Sequence, residues 1–159
     1  MYEKKVAMLA MVVCSVVFTR MVDAEASEDI KEILEQQITC NMAIANEGIH
    51  NSYGANIGHV ILNMDSDCVK TKAKAYAAAG SDARMNGCEL PVVINSGSGN
   101  QGITCCVPVV VYAKELNCTE EQLYRALVLS NLTAIYIKTG IGTLSAFCGA
   151  VSAGAAAGA

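Results

Sequence analysis

From Ser27 onward, apolar residues recur at helical spacing. Ile30, Ile33, Leu34, Ile38, Met42 and Ala45 share one stripe, with Glu28, Lys31, Glu32 and Glu35 outside it. Gly48 follows the stripe and predicts the helix stop. Tyr53 to Met64 predicts a short helix broken by Asp65-Ser66-Asp67, and Val69 to Ala79 an alanine- and lysine-rich helix ended by Gly80. Lys70, Lys72 and Lys74 read as a solvated face. Ile103 to Leu116 is apolar up to Lys114 and ambiguous. Val107, Val109, Val110 and Val111 suit a strand, whereas a helix requires Pro108 to fall in its first turn.

Thr119 with Gln122 makes a capping box that opens a long helix through Leu123, Ala126, Leu127, Leu132, Ile135 and Lys138. Gly140 and Gly142 separate it from a last helix, Thr143 to Ala159. There Gly149, Ala153 and Ala157 repeat every four residues, as do Gly154 and Gly158. Such a surface lets another backbone approach closely and predicts a central place in a bundle. The expected fold class is mainly α, a helical bundle-like domain with a Gly/Ser/Asn-rich binding loop.

Composition narrows the choice of function. The 159 residues are 53% hydrophobic and 16% charged, which excludes intrinsic disorder and fits one domain. A net charge of -4 argues against a nucleic-acid footprint. Lys4 and Lys5 precede an apolar run from Val6 to Phe18, the outline of a signal peptide, but Arg20 and Asp23 interrupt it. That run is too short to span a bilayer. The uncharged tail from Ile141 is mostly Ala, Gly and Ser and predicts a buried helix.

The eight cysteines show neither C-x-x-C nor zinc-finger spacing. Reduced, buried thiols in a cytoplasmic protein are the plain reading.

The segment Asn95 to Gly102 is built of Asn, Ser, Gly and Gln and predicts a loop between two apolar runs. Its backbone N–H groups can converge into an anion nest, and a helix opening at Ile103 would add positive partial charge. Asn95, Ser96, Ser98, Asn100 and Gln101 offer side-chain hydrogen bonds to a carboxylate or phosphate. A flexible surface loop is the alternative. The loop lacks the Walker A lysine, and no acidic ribose partner accompanies Gly97, Gly99 and Gly102. His50 and His59 share no helical face, and Asp82 and Arg84 can pair with each other or face the loop. Of the two sequons, at Asn117 and Asn131, the second lies within an apolar helix, where glycosylation is implausible.

The string KAYAAAGSDARMNGCELPVVINSGSGNQGITCCVPVVVYAKEL, Lys74 to Leu116, resembles the L-cysteine desulfidase family, which is similar to the alpha chain of iron–sulfur L-serine dehydratases. The likeness continues through LYRALVLSNLTAIYIKTGIGTLSAFCGAVSAGAAAGA, Leu123 to Ala159, and reaches back to EILEQQITCNMAIANEGIHNSYGANIGHVI, Glu32 to Ile61.

The resemblance implies a lyase that eliminates sulfide or water from cysteine or serine to give pyruvate and ammonia. Its 4Fe-4S cluster sits on three cysteines, and the open iron is a Lewis acid. Cys148, in SAFCGA, matches the first cluster cysteine. The run Asn95, Ser96, Gly97, Ser98, Gly99, Asn100 and Gln101 matches the substrate-binding loop. The family's other cluster cysteines, in a CDGAK…C segment, and its GCTEP segment are absent.

The expectation is therefore a partial domain over 27–159, inactive by itself, with 1–26 an internal core segment rather than a signal peptide. The expected partners are a small amino-acid substrate and a homo-oligomer, with no nucleic acid and no membrane. A carboxylate-binding or subunit-interaction module without a cluster is the first rival, and a secreted disulfide-bonded helical protein the second.

Overall fold

The computed structural model describes residues 28–65, 67–142 and 148–159. The expectations for 1–26, and for the 143–147 part of the last helix, lie outside them. The described residues form six helices: α1 Glu28–His50, α2 Ile57–Met64, α3 Val69–Met85, α4 Gly99–Glu115, α5 Glu120–Ile141 and α6 Gly149–Ala157. The mainly α class is as expected. None of these helices is long and apolar enough to cross a membrane.

Helix α4 is the hub and packs against α1, α3, α5 and α6, while α2 leans on α3. Its residues Ile103, Cys106, Val107 and Val110 join Leu34, Met42, Ile44, Ala45, Tyr124 and Leu127 in the main core. This resolves the ambiguous run as helix. Pro108 lies in the middle of α4 and not in its first turn, contrary to the sequence condition. Burial of α4 against four neighbours outweighs the one backbone hydrogen bond that the proline cannot donate.

Two glycines expected to stop helices lie inside them instead. Gly48 is in α1, where a Cβ would strike the Ala79 carbonyl; Gly80 is in α3, with Ala45 and Ile103 against it. With Ala73, Ala75, Ala77, Ala79 and Ala83 buried, α3 is a thin rod that lets α1, α2 and α4 approach closely. Here the glycines serve approach, not termination.

The buried face of α1 is also rotated from the expected stripe. Ile30 and Ile33 are exposed, whereas Gln37 and Asn41 are buried. In α6, Gly149, Ser152, Ala153 and Ala156 face inward against α4 and α5, and Val151 and Gly154 face out. Only one of the two small-residue repeats is therefore packed, and α6 flanks the bundle instead of occupying its centre.

Candidate functional site

The polar loop folds more tightly than its composition predicts. Asn95 and Ser98 exchange both backbone hydrogen bonds, at 3.2 and 3.1 Å. Between them Ser96 and Gly97 have φ of 49° and 85°. Positive φ at both central positions is the mark of a type I′ turn, costly at Ser96 and free at Gly97. Helix α4 then starts at Gly99, so Gly99 to Gly102 form its first turn and are not loop. A Cβ on Gly102 would collide with the Val93 carbonyl, and one on Gly99 with the Arg84 guanidinium. These glycines are present because neighbours occupy the space of a side chain.

Two buried amides on α1 hold the segment in place. Asn41, at 0% exposure, accepts from Val93 N–H at 2.9 Å and donates to Val93 O at 3.2 Å, pairing with the chain as a strand would. Gln37 and Asn131 exchange reciprocal amide hydrogen bonds at 3.0 and 2.8 Å. Asn131 Oδ1 also accepts from Asn95 Nδ2 at 2.8 Å and from the Cys105 thiol at 3.3 Å. Ser96 Oγ donates to Asn95 Oδ1 at 2.7 Å. An unbroken chain of hydrogen bonds thus runs from α1 through α5 to the turn. Burial pushes the Cys105 thiol up to about 12 and raises that of Cys106 as well. Both are neutral, structural thiols.

The first turn of α4 is uncapped. Ser98, its N-cap residue, makes no side-chain cap hydrogen bond. The N–H groups of Gly99, Asn100 and Gln101 have no intrahelical acceptor, because a helix start leaves them over. Arg84 stands beside them and donates from Nη1 to Asn100 Oδ1 at 3.1 Å. Gln101 lies against Gly149, the first residue of α6, leaving no room there for a Cβ. Cys148 is the exposed N-cap of α6, likewise without a side-chain cap. The fold thus brings two helix starts together, and with them the loop and the candidate metal ligand. Their dipoles and N–H groups favour an anion there.

The other sequence candidates lie elsewhere or have other duties. Asp82 does not pair with Arg84, because its carboxylate accepts from Ile57 N–H at 2.9 Å and caps α2. His50 hydrogen-bonds the Asn46 carbonyl of its own helix. Lys72 reaches Glu115 at 3.9 Å. An apolar groove of about 490 Å³, lined by Tyr112, Leu116, Leu123, Leu129 and Ala156 among others, contains none of the candidate site residues.

A cluster held on three cysteines needs two thiols besides Cys148. Cys105 and Cys106 do not supply them, being buried and hydrogen-bonded within the core. Among the described residues no three His, Cys, Asp or Glu side chains group to hold a metal. A 4Fe-4S cluster therefore does not fit these residues alone, and Cys148 remains a single candidate ligand. The seven described cysteines are free thiols.

Sequence reasoning missed Gln37, Asn41 and Asn131 as parts of the site. The available signal was two amides, four residues apart, inside the buried stripe of α1.

Comparison with known proteins gives the family. The serine dehydratase alpha chain family matches residues 3–159. A UPF0597 protein of Desulfitobacterium hafniense is 60% identical over 137 residues, covering 86% of this chain and 32% of that protein. One from Lachnoclostridium phytofermentans is 57% identical, covering 89% of this chain and 33% of its own length. One from Finegoldia magna is 56% identical, over 83% and 31%. The chain spans about a third of the length of these curated relatives. No solved structure matches significantly. The chain belongs to the serine dehydratase alpha chain family.

Proposed function

We propose that this chain carries the carboxylate-binding part of a lyase that eliminates sulfide from L-cysteine, or water from L-serine, to give pyruvate and ammonia. The observation that supports it is the meeting of Gln101 with Gly149, which sets Cys148 beside the uncapped first turn of α4. The N–H groups of Gly99, Asn100 and Gln101, with Ser98 Oγ, take the substrate carboxylate. Asn95, Ser96 and Gly97 form the turn that aims them.

In the reaction the α-proton leaves, the Cβ–S or Cβ–O bond breaks, and its electron pair departs with the leaving group. The 2-aminoacrylate that remains tautomerises to an imine, which takes up water and releases ammonia and pyruvate. The proposed cofactor is a 4Fe-4S cluster of the complete protein, with Cys148 as one ligand and the others outside the described residues. The proposed setting is the cytoplasm, where thiols stay reduced, and the proposed assembly is a homo-oligomer. A second reading, a carboxylate-binding module without a cluster, draws on the single candidate ligand among the described residues.

The test uses the gene product as its host makes it, reconstituted anaerobically with iron and sulfide. Cys148→Ser should lose the cluster absorbance and pyruvate formation together. Ser98→Val should raise KM roughly tenfold with the absorbance intact, as loss of one hydrogen bond to a charged group predicts. An unsubstituted protein without cluster bands or pyruvate would favour the binding module. Identical behaviour of the two variants would contradict the division of roles.

A further inference from the structure

Arg84 stands beside the α4 start without an acidic partner. Its Nη1 donates to Asn100 Oδ1 and to Met85 Sδ at 3.6 Å, and its guanidinium covers Gly99. Among the described residues no carboxylate pairs with it, Asp82 being turned to Ile57 N–H. A helix start attracts anions and repels cations, so the guanidinium, favoured by the last turn of its own α3, sits against the dipole of α4. An anion between them would be attracted by both.

A second observation concerns the same first turn of α4. Gln101 is 7% exposed, yet its amide has no hydrogen-bond partner among the described residues. Every fully sealed side-chain nitrogen or oxygen described does have one. The Gln101 amide therefore still opens onto space at the starts of α4 and α6, where it lies against Gly149. An accessible, unpartnered amide in the same first turn that Arg84 covers offers a second group to a ligand there.

We propose that Arg84 is the residue that reads the ligand's carboxylate, pairing with it through the guanidinium while the α4 N–H groups hold its other face. Gln101 hydrogen-bonds a neutral polar group of the same small molecule. The proposal rests on the carboxylate-site reading above and deepens it: the site selects a small carboxylate anion over the corresponding carboxamide.

Calorimetric titration of the chain with L-serine, L-serinamide and propionate tests this. The chain should prefer L-serine over L-serinamide by roughly tenfold or more, as a charge-assisted pair predicts. Arg84→Gln should weaken L-serine by a similar factor and erase the preference, and Arg84→Lys should restore part of it. Asn100→Asp, which places an acid against the guanidinium, should also quench binding without removing Arg84. Circular dichroism of each variant shows whether it is folded. Arg84→Gln with the preference intact, or equal binding of L-serine and L-serinamide by the unsubstituted chain, would overturn the proposal. Arg84-dependent binding of propionate and L-serine, with no pyruvate from the iron-loaded gene product, would uphold Arg84 and sink the lyase reading. Pyruvate formation with the preference unchanged in Arg84→Gln would do the reverse.

Discussion

Helices α4 and α5 begin in opposite ways. At α5, Thr119 Oγ1 accepts from Gln122 N–H at 3.3 Å, Gln122 Oε1 accepts from Thr119 N–H at 2.8 Å, and Glu120 and Glu121 meet the positive end of the dipole. Leftover donors and charge are answered there by the chain itself. At α4, Ser98 leaves the cap unmade, no acid occupies the first turn, and Arg84 stands where a carboxylate would serve the helix better. The exposed start is built for stability. The half-buried one keeps its donors available and relies on tertiary packing to stay helical. Bare donors in a fixed, partly dry place are what a binding site requires, and the contrast separates them from ordinary fraying.

The sharpest way to break this comparison is to insert a single methyl group. Gly102→Ala sets a Cβ against the Val93 carbonyl, which Asn41 holds in place, and should cost about 3 kcal/mol in urea unfolding. The same change at Gly140, on α5 with nothing within 4 Å, should instead gain about 0.5 kcal/mol. If both behave alike, the first turn of α4 is not held as described.

Asn131→Leu comes next. It leaves Gln37, Asn95 and Cys105 without their shared acceptor and should cost about 2 kcal/mol. Carboxylate binding should weaken with it, because Asn95 then loses its hold on the turn. Unchanged binding in a destabilised variant would mean that the network supports the fold but not the site.

The smallest effects concern the caps themselves. Thr119→Ala should lose about 1 kcal/mol. Ser98→Asp should gain about 0.5–1 kcal/mol by capping α4 while blocking carboxylate binding through its own charge. A Ser98→Asp variant no more stable than the parent would show that the α4 start already has its partners.

Much of the fold was legible in the sequence because local signals and tertiary packing agree. The α5 capping box, the break after Met64 and the helical class all follow from neighbours in the chain. The misreadings share one cause. Gly48, Gly80 and Pro108 carry strong local meanings, and long-range contacts overrule each of them. The candidate site was half legible. Loop composition located Asn95 to Gln101, and the family resemblance singled out Cys148. The amides that fix the turn lie on α1 and α5, where a search for apolar faces passes over polar residues. Arg84 was visible only as a residue that could pair with Asp82 or face the loop.

The clasp between Asn41 and Val93 joins residues 52 positions apart. A piece containing only α3 and α4 would have every residue of the Asn95–Ser98 turn and still lack its shape. Cut between α1 and α3, the two fragments should each be blind to ligand and regain recognition on being mixed. The proposed carboxylate recognition would then report assembly, switching on only when both distant segments are present and docked.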